Sequence, residues 1–330
     1  MKTYSLFLIR FILIFYMTVS VANENISMMV GPSTGSYRVF GLDIAKQALK
    51  EGITLDIKES SGDIENIKRL ASKENAAFTI IDEAILRFLQ QDPQLKTIAN
   101  KLRVLYPLYN AEVHVLGKIN INNLSELQGK KIVVGLQGSG TNFTASNLFK
   151  SLQINPTKVY MPFSEGIELL LKGEVDAVMY VAGKPVPLFD NLAKLANSHP
   201  DLLSNIHFIP IVNNPMLVGA GFYNATLMPS DYSIIKQVIP TIATKNLLIS
   251  FNFSEDNTPY SNSRCAQLKL ITKAISDNIL ELKSTGHPKW KEVDLNADIG
   301  SFKRSGCVYA PTMPDVGLNS VKNCLLNGAC

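Results

Sequence analysis

The chain has 330 residues, enough for two domains with sizeable cores. Its 32 lysines and arginines stand against 28 aspartates and glutamates, a formal net charge of +4, and the basic residues are scattered, the longest clusters being pairs such as Lys130-Lys131. That balance excludes the basic footprint of a nucleic-acid-binding protein.

Residues 1–22 read as a secretory signal peptide. Lys2 supplies the charged start, Phe11–Val21 is apolar but short for a membrane span, and Ser20-Val21-Ala22 forms a small-residue cleavage site. Cleavage after Ala22 predicts a periplasmic protein. Arg10, inside the apolar stretch, leaves an uncleaved anchor as the alternative. No cysteine lies near the cleavage site to carry a lipid. No later stretch is long and apolar enough to cross a bilayer.

From Ile26 onward strand and helix alternate. Ile26–Val30 reads as a strand, Tyr37–Lys50 as a helix ending near Gly52, and Ile53–Lys58 as a strand. Ile64, Ile67, Leu70 and Ala71 fall at helical spacing before the apolar strand Ala77–Ile81. The scheme then repeats. Ser125-Glu126-Leu127-Gln128 fits a capping box, Lys131–Val134 a strand, Asn142–Leu152 a helix, and Val159–Pro162 a strand. Ile167, Leu170 and Leu171 mark a helix stopped at Gly173, followed by the strand Ala177–Val181 and the helix Pro187–Ala196. Leu70–Phe78 echoes Leu170–Val178, each a helix entering an apolar strand through a polar turn. Such alternation predicts an α/β protein with two similar lobes of mostly parallel sheet.

After Val212 the pattern loosens. Asn213-Asn214-Pro215 predicts a turn, Leu217–Tyr223 a strand, Asp231–Thr241 a short helix, Leu247–Phe253 a strand and Cys265–Leu282 a long helix. The tail from Gly286, with the lone tryptophan Trp290, reads as irregular surface packing.

Two small-residue loops each join an apolar strand to a helix: Gly31-Pro32-Ser33-Thr34-Gly35-Ser36-Tyr37 and Gly135-Leu136-Gln137-Gly138-Ser139-Gly140-Thr141. A helix opening on such a loop aims free N–H groups and a positive dipole end at what lies above it. Two of them, one per half, predict half-sites closing on one small anion. Neither is a phosphate loop of the Gly-Lys-Ser/Thr type, and Ser139 does not sit in G-x-S-x-G.

Cys265, Cys307, Cys324 and Cys330 all lie in the last quarter. Export permits disulfides, and four cysteines allow three pairings; Cys265–Cys307 with Cys324–Cys330 is the one favoured here. No cysteine spacing is C-x-x-C and the four histidines are far apart in sequence, so no metal site and no cofactor is expected.

The order of Gly31–Gly41, Leu102–Tyr109, Val113-His114-Val115, Leu127–Gly135, Gly138–Thr141 and Gly173–Pro185 resembles the TAXI subgroup of solute-binding receptors of TRAP transporters. The resemblance implies a type II periplasmic-binding-protein fold, two α/β lobes with a hinge between. The lobes are expected at 23–112 with 221–330, and at 113–220. It implies a monomer that captures a small organic acid, an acidic amino acid or dicarboxylate, and hands it to membrane permease subunits. An ABC-type or sensory binding protein is the alternative, and an exported hydrolase using Ser139 a further one.

Within that frame Ser139, Gly140 and Thr141 are the first candidates to hold a ligand carboxylate, with helix capping as the other use of their hydroxyls. Thr34, Gly35, Ser36 and Tyr37 form the expected opposing wall. Arg38 is either a counter-charge or a solvated first-turn residue. Asp82 and Glu83, at a strand end, either hold a ligand ammonium or cap the next helix. Val181, Ala182 and Gly183 present backbone from the second lobe, or form a turn. His114 reads as a structural histidine with ligand contact as the minor alternative.

Overall fold

The structure, a computed structural model, describes residues 26–33, 35–72, 76–198 and 200–310. The expected signal segment, Thr34, Cys324 and Cys330 lie outside the described residues. The chain runs β1 (Ile26–Met29), α1 (Ser36–Ala48), β2 (Leu55–Lys58), α2 (Asp63–Leu70), β3 (Ala76–Asp82), α3 (Glu83–Gln91) and α4 (Lys96–Ala99). A long strand, β4 (Leu102–Lys118), leads into β5 (Lys131–Val133), α5 (Gly140–Ser151), β6 (Thr157–Val159), α6 (Phe163–Leu171), β7 (Ala177–Ala182) and α7 (Pro187–Ser198). Next come α8 (Pro200–Leu203), β8 (Ile206–Phe208), α9 (Pro215–Gly219) and β9 (Tyr223–Leu227). A second long strand, β10 (Ile239–Phe251), leads to α10 (Pro259–Asp277), α11 (Ile279–Thr285) and a 3-10 turn at Pro288–Glu292.

The strands form one sheet in the order β2-β1-β3-β10-β4-β7-β5-β6, with β8 on β4 and β9 on β10. Each end holds three parallel strands in the same relative order, β2-β1-β3 and β6-β5-β7. β4 and β10 run antiparallel to each other and pair with both ends. The result is a two-lobed α/β architecture, each lobe a mostly parallel sheet flanked by helices, with β4 and β10 passing between the lobes.

The burial pattern explains the layers. All seven residues of β3 are buried, as a central strand covered by helices on both faces requires. Phe40, Ile44 and Ala48 recur every four residues on α1 and form its buried face. Because both lobes repeat strand, loop, helix in one topology, the β1–α1 and β5–α5 loops emerge at equivalent sheet edges, where open α/β sheets bind ligands.

Phe222, Leu227, Tyr232, Ile235 and Ile242 pack into the core clusters of the second lobe. We therefore propose that the chain returns to the first lobe within β10, after Ile242, and not at residue 221. Other expectations for this stretch are also corrected. Pro215–Gly219 is a helix capped by the Asn214 side chain, which accepts from the Met216 and Leu217 amides, so Leu217–Tyr223 is no strand. Residues 231–238 are not helical, and Thr241 lies inside β10. Asn123, and not Ser125, caps the short turn at Leu124–Leu127.

The tail is core, not surface. Trp290 is fully buried, stacked on Phe40 at 4.5 Å, and donates its indole N–H to Asp43 at 2.8 Å. Cys265 on α10 is bonded to Cys307 across 42 residues, which pins the tail to the first-lobe core. Closing a loop of that length in the unfolded chain predicts about 4 kcal/mol of stabilisation. Urea unfolding of the Cys265→Ser, Cys307→Ser double variant should show a loss of that size; a loss below about 1 kcal/mol would contradict the entropic account.

Among the described residues no helix is long and apolar enough to cross a membrane, and no group of three His, Cys, Asp or Glu side chains is placed to hold a metal ion.

Candidate functional site

The two small-residue loops meet. Gly31, Pro32, Gly35, Ser36 and Tyr37 from the first lobe face Ser139, Gly140 and Thr141 from the second across one cavity of about 60 Å³. That is room for a few waters or the head of a small solute. Asp82, Val181 and Ala182 line the same space. Nine of the residues anticipated from sequence are thus brought together: Gly35, Ser36, Tyr37, Asp82, Ser139, Gly140, Thr141, Val181 and Ala182.

Two anticipated residues turn elsewhere. The Glu83 carboxylate is taken by Arg87, one helical turn on, and by the Tyr223 hydroxyl. Gly183 donates its N–H to Ser36 Oγ at 3.3 Å and packs its backbone against the Tyr109 ring, outside the cavity lining. Arg38 pairs with Glu59 in a partly exposed contact. His114 is fully buried in the second lobe, its Nε2 2.9 Å from the Tyr232 hydroxyl and its ring 5.1 Å from that of Phe189. Burial pulls its pKa down to about 3; it is a neutral core residue.

The hydroxyls of the second loop already have structural tasks. Ser139 Oγ caps α5 by accepting from the Asn142 amide at 3.2 Å, and Thr141 Oγ1 accepts from the Val181 amide at 3.1 Å. Above the α5 N-terminus, where a ligand carboxylate was expected, lies the Asp63 carboxylate of the opposite lobe. It sits so close to Gly140 that a Cβ there would strike its Oδ2. Glycine is obligatory at this approach, and Gly62, at φ 124°, turns the chain that delivers Asp63.

Sequence reasoning missed Asp63, which reads locally as an ordinary acidic first-turn residue of α2. It also missed Asn246, Tyr180 and Phe163, all lining the cavity. Asn246 is one of several buried polar residues of β10, with Thr241, Thr244 and Ser250, and it lies opposite Asp82 in the β3–β10 ladder, a placement that no local sequence signal reveals. Phe163 and Tyr180 stack with centroids 4.1 Å apart.

The polar floor is a linked set. Tyr37 donates its hydroxyl to Asn246 Oδ1 at 2.7 Å, and Asp63 Oδ1 lies 3.2 Å from that Tyr37 hydroxyl oxygen. Asp63 Oδ1 also accepts from the Asp82 amide at 2.7 Å. Asp82 caps α3 through the Ala84 amide at 2.8 Å and receives the Thr144 hydroxyl from the other lobe at 3.3 Å. Burial raises the Asp63 carboxyl, against the pull of backbone N–H groups of Asp82 and Gly140. Burial, then the neighbouring Asp63 charge, pushes Asp82 up to about 7. Burial, then the Asp63 charge, likewise raises Tyr37, which stays a neutral donor.

A larger groove of about 980 Å³ runs along the second lobe between Leu116, Phe208 and residues 233–240. It touches neither loop and draws on one lobe alone.

The fold and site define a two-lobed α/β protein with a small cavity between its lobes, polar at its floor and aromatic along its walls. The chain belongs to the NMT1-like family, whose family model matches residues 28–302. No curated protein matches it. Solved structures similar to it include MatC from Rhodopseudomonas palustris with bound malate, at 14% identity over 77% of this chain and 84% of that one, TM-score 0.48. The ligand-binding core of GluR0 from Nostoc punctiforme in complex with L-glutamate is similar at 15% identity over 81% and 95%, TM-score 0.43. A protein of Bordetella bronchiseptica RB50 is similar at 15% identity over 81% and 76%, TM-score 0.47.

Proposed function

We propose that this protein is an extracytoplasmic solute-binding receptor that captures a small organic solute by lobe closure and delivers it to a TRAP-type membrane transporter. The observation that carries the reading is the shared cavity, built from equivalent loops of the two lobes. Hydrogen bonds that bridge the lobes at its rim, Gly183 to Ser36 and Thr144 to Asp82, form when the lobes are closed. A solute filling the cavity links the same walls and shifts the population toward that state. The delivery step follows from the resemblance to TAXI receptors, as does the solute class of acidic amino acids and dicarboxylates. Ser139 Oγ serves as the helix cap of α5.

Thermal unfolding of the oxidised chain with carboxylates, amino acids and keto acids tests capture. A solute present at 100 times its dissociation constant adds about 2.7 kcal/mol, and the same solute should reduce the radius of gyration in X-ray scattering. A melting shift without compaction would count against closure; no shift with any solute would remove the receptor reading.

A further inference from the structure

The cavity buries two carboxylates and brings them no cation. Asp63 and Asp82 are 3% and 2% exposed and approach from α2 and β3. Among the described residues that line the cavity there is no lysine, arginine or histidine. A buried carboxylate without a cationic partner is costly unless it takes up a proton or a cation is supplied.

A second group points into the same space for a different reason. Asn246 is 1% exposed. Its Oδ1 is satisfied by Tyr37, but its Nδ2 is buried with no partner. A buried N–H group left without an acceptor is destabilising. The amide lies directly opposite Asp82 on the neighbouring strand, so its unmet donor and the carboxylates are adjacent. The walls above this floor are aromatic: Tyr37, Phe163 and Tyr180, surfaces that favour a cation over their faces.

Resting on the receptor reading, we propose that the cavity selects a solute carrying an ammonium group next to an acceptor oxygen and no more than one carboxylate. The ammonium is held between Asp63 and Asp82, and the oxygen accepts from Asn246 Nδ2. This departs from both the acidic amino acids and the dicarboxylates that the resemblance implies. A second carboxylate would have to settle where Asp63 already covers the N-terminus of α5. The same two aspartates that accept an amine repel an acid, so the discrimination is built from attraction and repulsion together.

Matched pairs of probes that differ in the amine test this on the unaltered protein: L-alanine against L-lactate, L-glutamine against its 2-oxo analogue, and L-aspartate against L-malate. Dissociation constants come from calorimetry at pH 7.5. In every pair that binds, the amine member should bind at least about tenfold tighter, corresponding to about 1.4 kcal/mol, and L-malate should be the weakest. The Asp63→Asn variant, checked for its circular dichroism spectrum, should narrow that ratio. Binding of an amine-free member as tightly as its amine partner overturns the amine proposal and leaves the receptor reading standing. Absence of binding by every probe removes both. Because the ratio is read on the native chain, a misfolded variant does not rescue the proposal.

Discussion

Replacing Lys289 by methionine is expected to lower the unfolding free energy by about 3–5 kcal/mol, a loss measurable by urea denaturation at neutral pH. Lys289 and Glu112 form a buried ion pair in which each side chain is nearly inaccessible, 2% and 4%. Glu112 lies on β4 where the ladder passes from Ala243 on β10 to Ala182 on β7, the junction between the lobes. The ammonium also reaches Glu292 at 2.7 and 2.8 Å, a half-exposed partner. The two ends of the pair are therefore unequal. Without Lys289, Glu112 keeps the Lys184 amide at 3.1 Å as its hydrogen-bond donor and remains a desolvated charge, whose carboxyl burial already raises. Without the Glu112 charge, Lys289 still has Glu292. Glu112→Gln should accordingly cost clearly less than Lys289→Met, and the double change should recover much of the loss, because removing both charges relieves the penalty that removing one creates. Equal single losses that simply add would show that the pair does not act as a unit.

The position of that pair shows where sequence reading ends. The βα alternation from Ile26 to Ala196 is local, so its periods and caps identify β1, α1, β3, α5, β7 and α7 within a few residues. The long strands are a different matter. β4 and β10 derive their extent from pairing with both lobes, and no local signal tells Leu102–Lys118 that it is one continuous strand. The apolar run after Asn214 reads as a strand by composition, yet Pro215 at the first helical position with Asn214 as cap makes it a helical turn. Trp290 reads as surface because its neighbours are polar; its partners Phe40 and Asp43 lie some 250 residues earlier. The site divides the same way. The glycine-bearing loops announce themselves through backbone chemistry, which made six lining residues legible, and the strand ends gave Asp82, Val181 and Ala182. Asp63 and Asn246 become site residues through packing alone, one swung across by Gly62 and the other set beside Asp82 by strand register.

The second large effect is a stabilisation. Asp82→Asn should leave stability unchanged near pH 4 and raise it progressively toward pH 7, by up to about 4 kcal/mol. The sign follows from linkage. In the folded protein the Asp82 carboxyl holds its proton up to about 7, whereas in the unfolded chain it ionises near the ordinary value of about 3.9. Its contribution is fully present below that unfolded value and is lost as pH rises through the folded one. Asparagine never ionises, so the loss disappears, and its side-chain oxygen can still cap α3 at the Ala84 amide. The native curve alone would hide this. His114 and His287, pulled down by burial to about 3 and about 4, must charge on unfolding in acid, so they add stability over the same interval in which Asp82 removes it. The difference between variant and native protein cancels the histidines and isolates the aspartate. A difference that stays flat from pH 4 to pH 8 would mean that Asp82 is ionised in the cavity without penalty, which requires a cation that the lining residues do not supply. A bound amine would supply it: with a saturating amine solute present, the pH-dependent advantage of Asp82→Asn should shrink or reverse, since the native carboxylate then gains a partner and the asparagine does not.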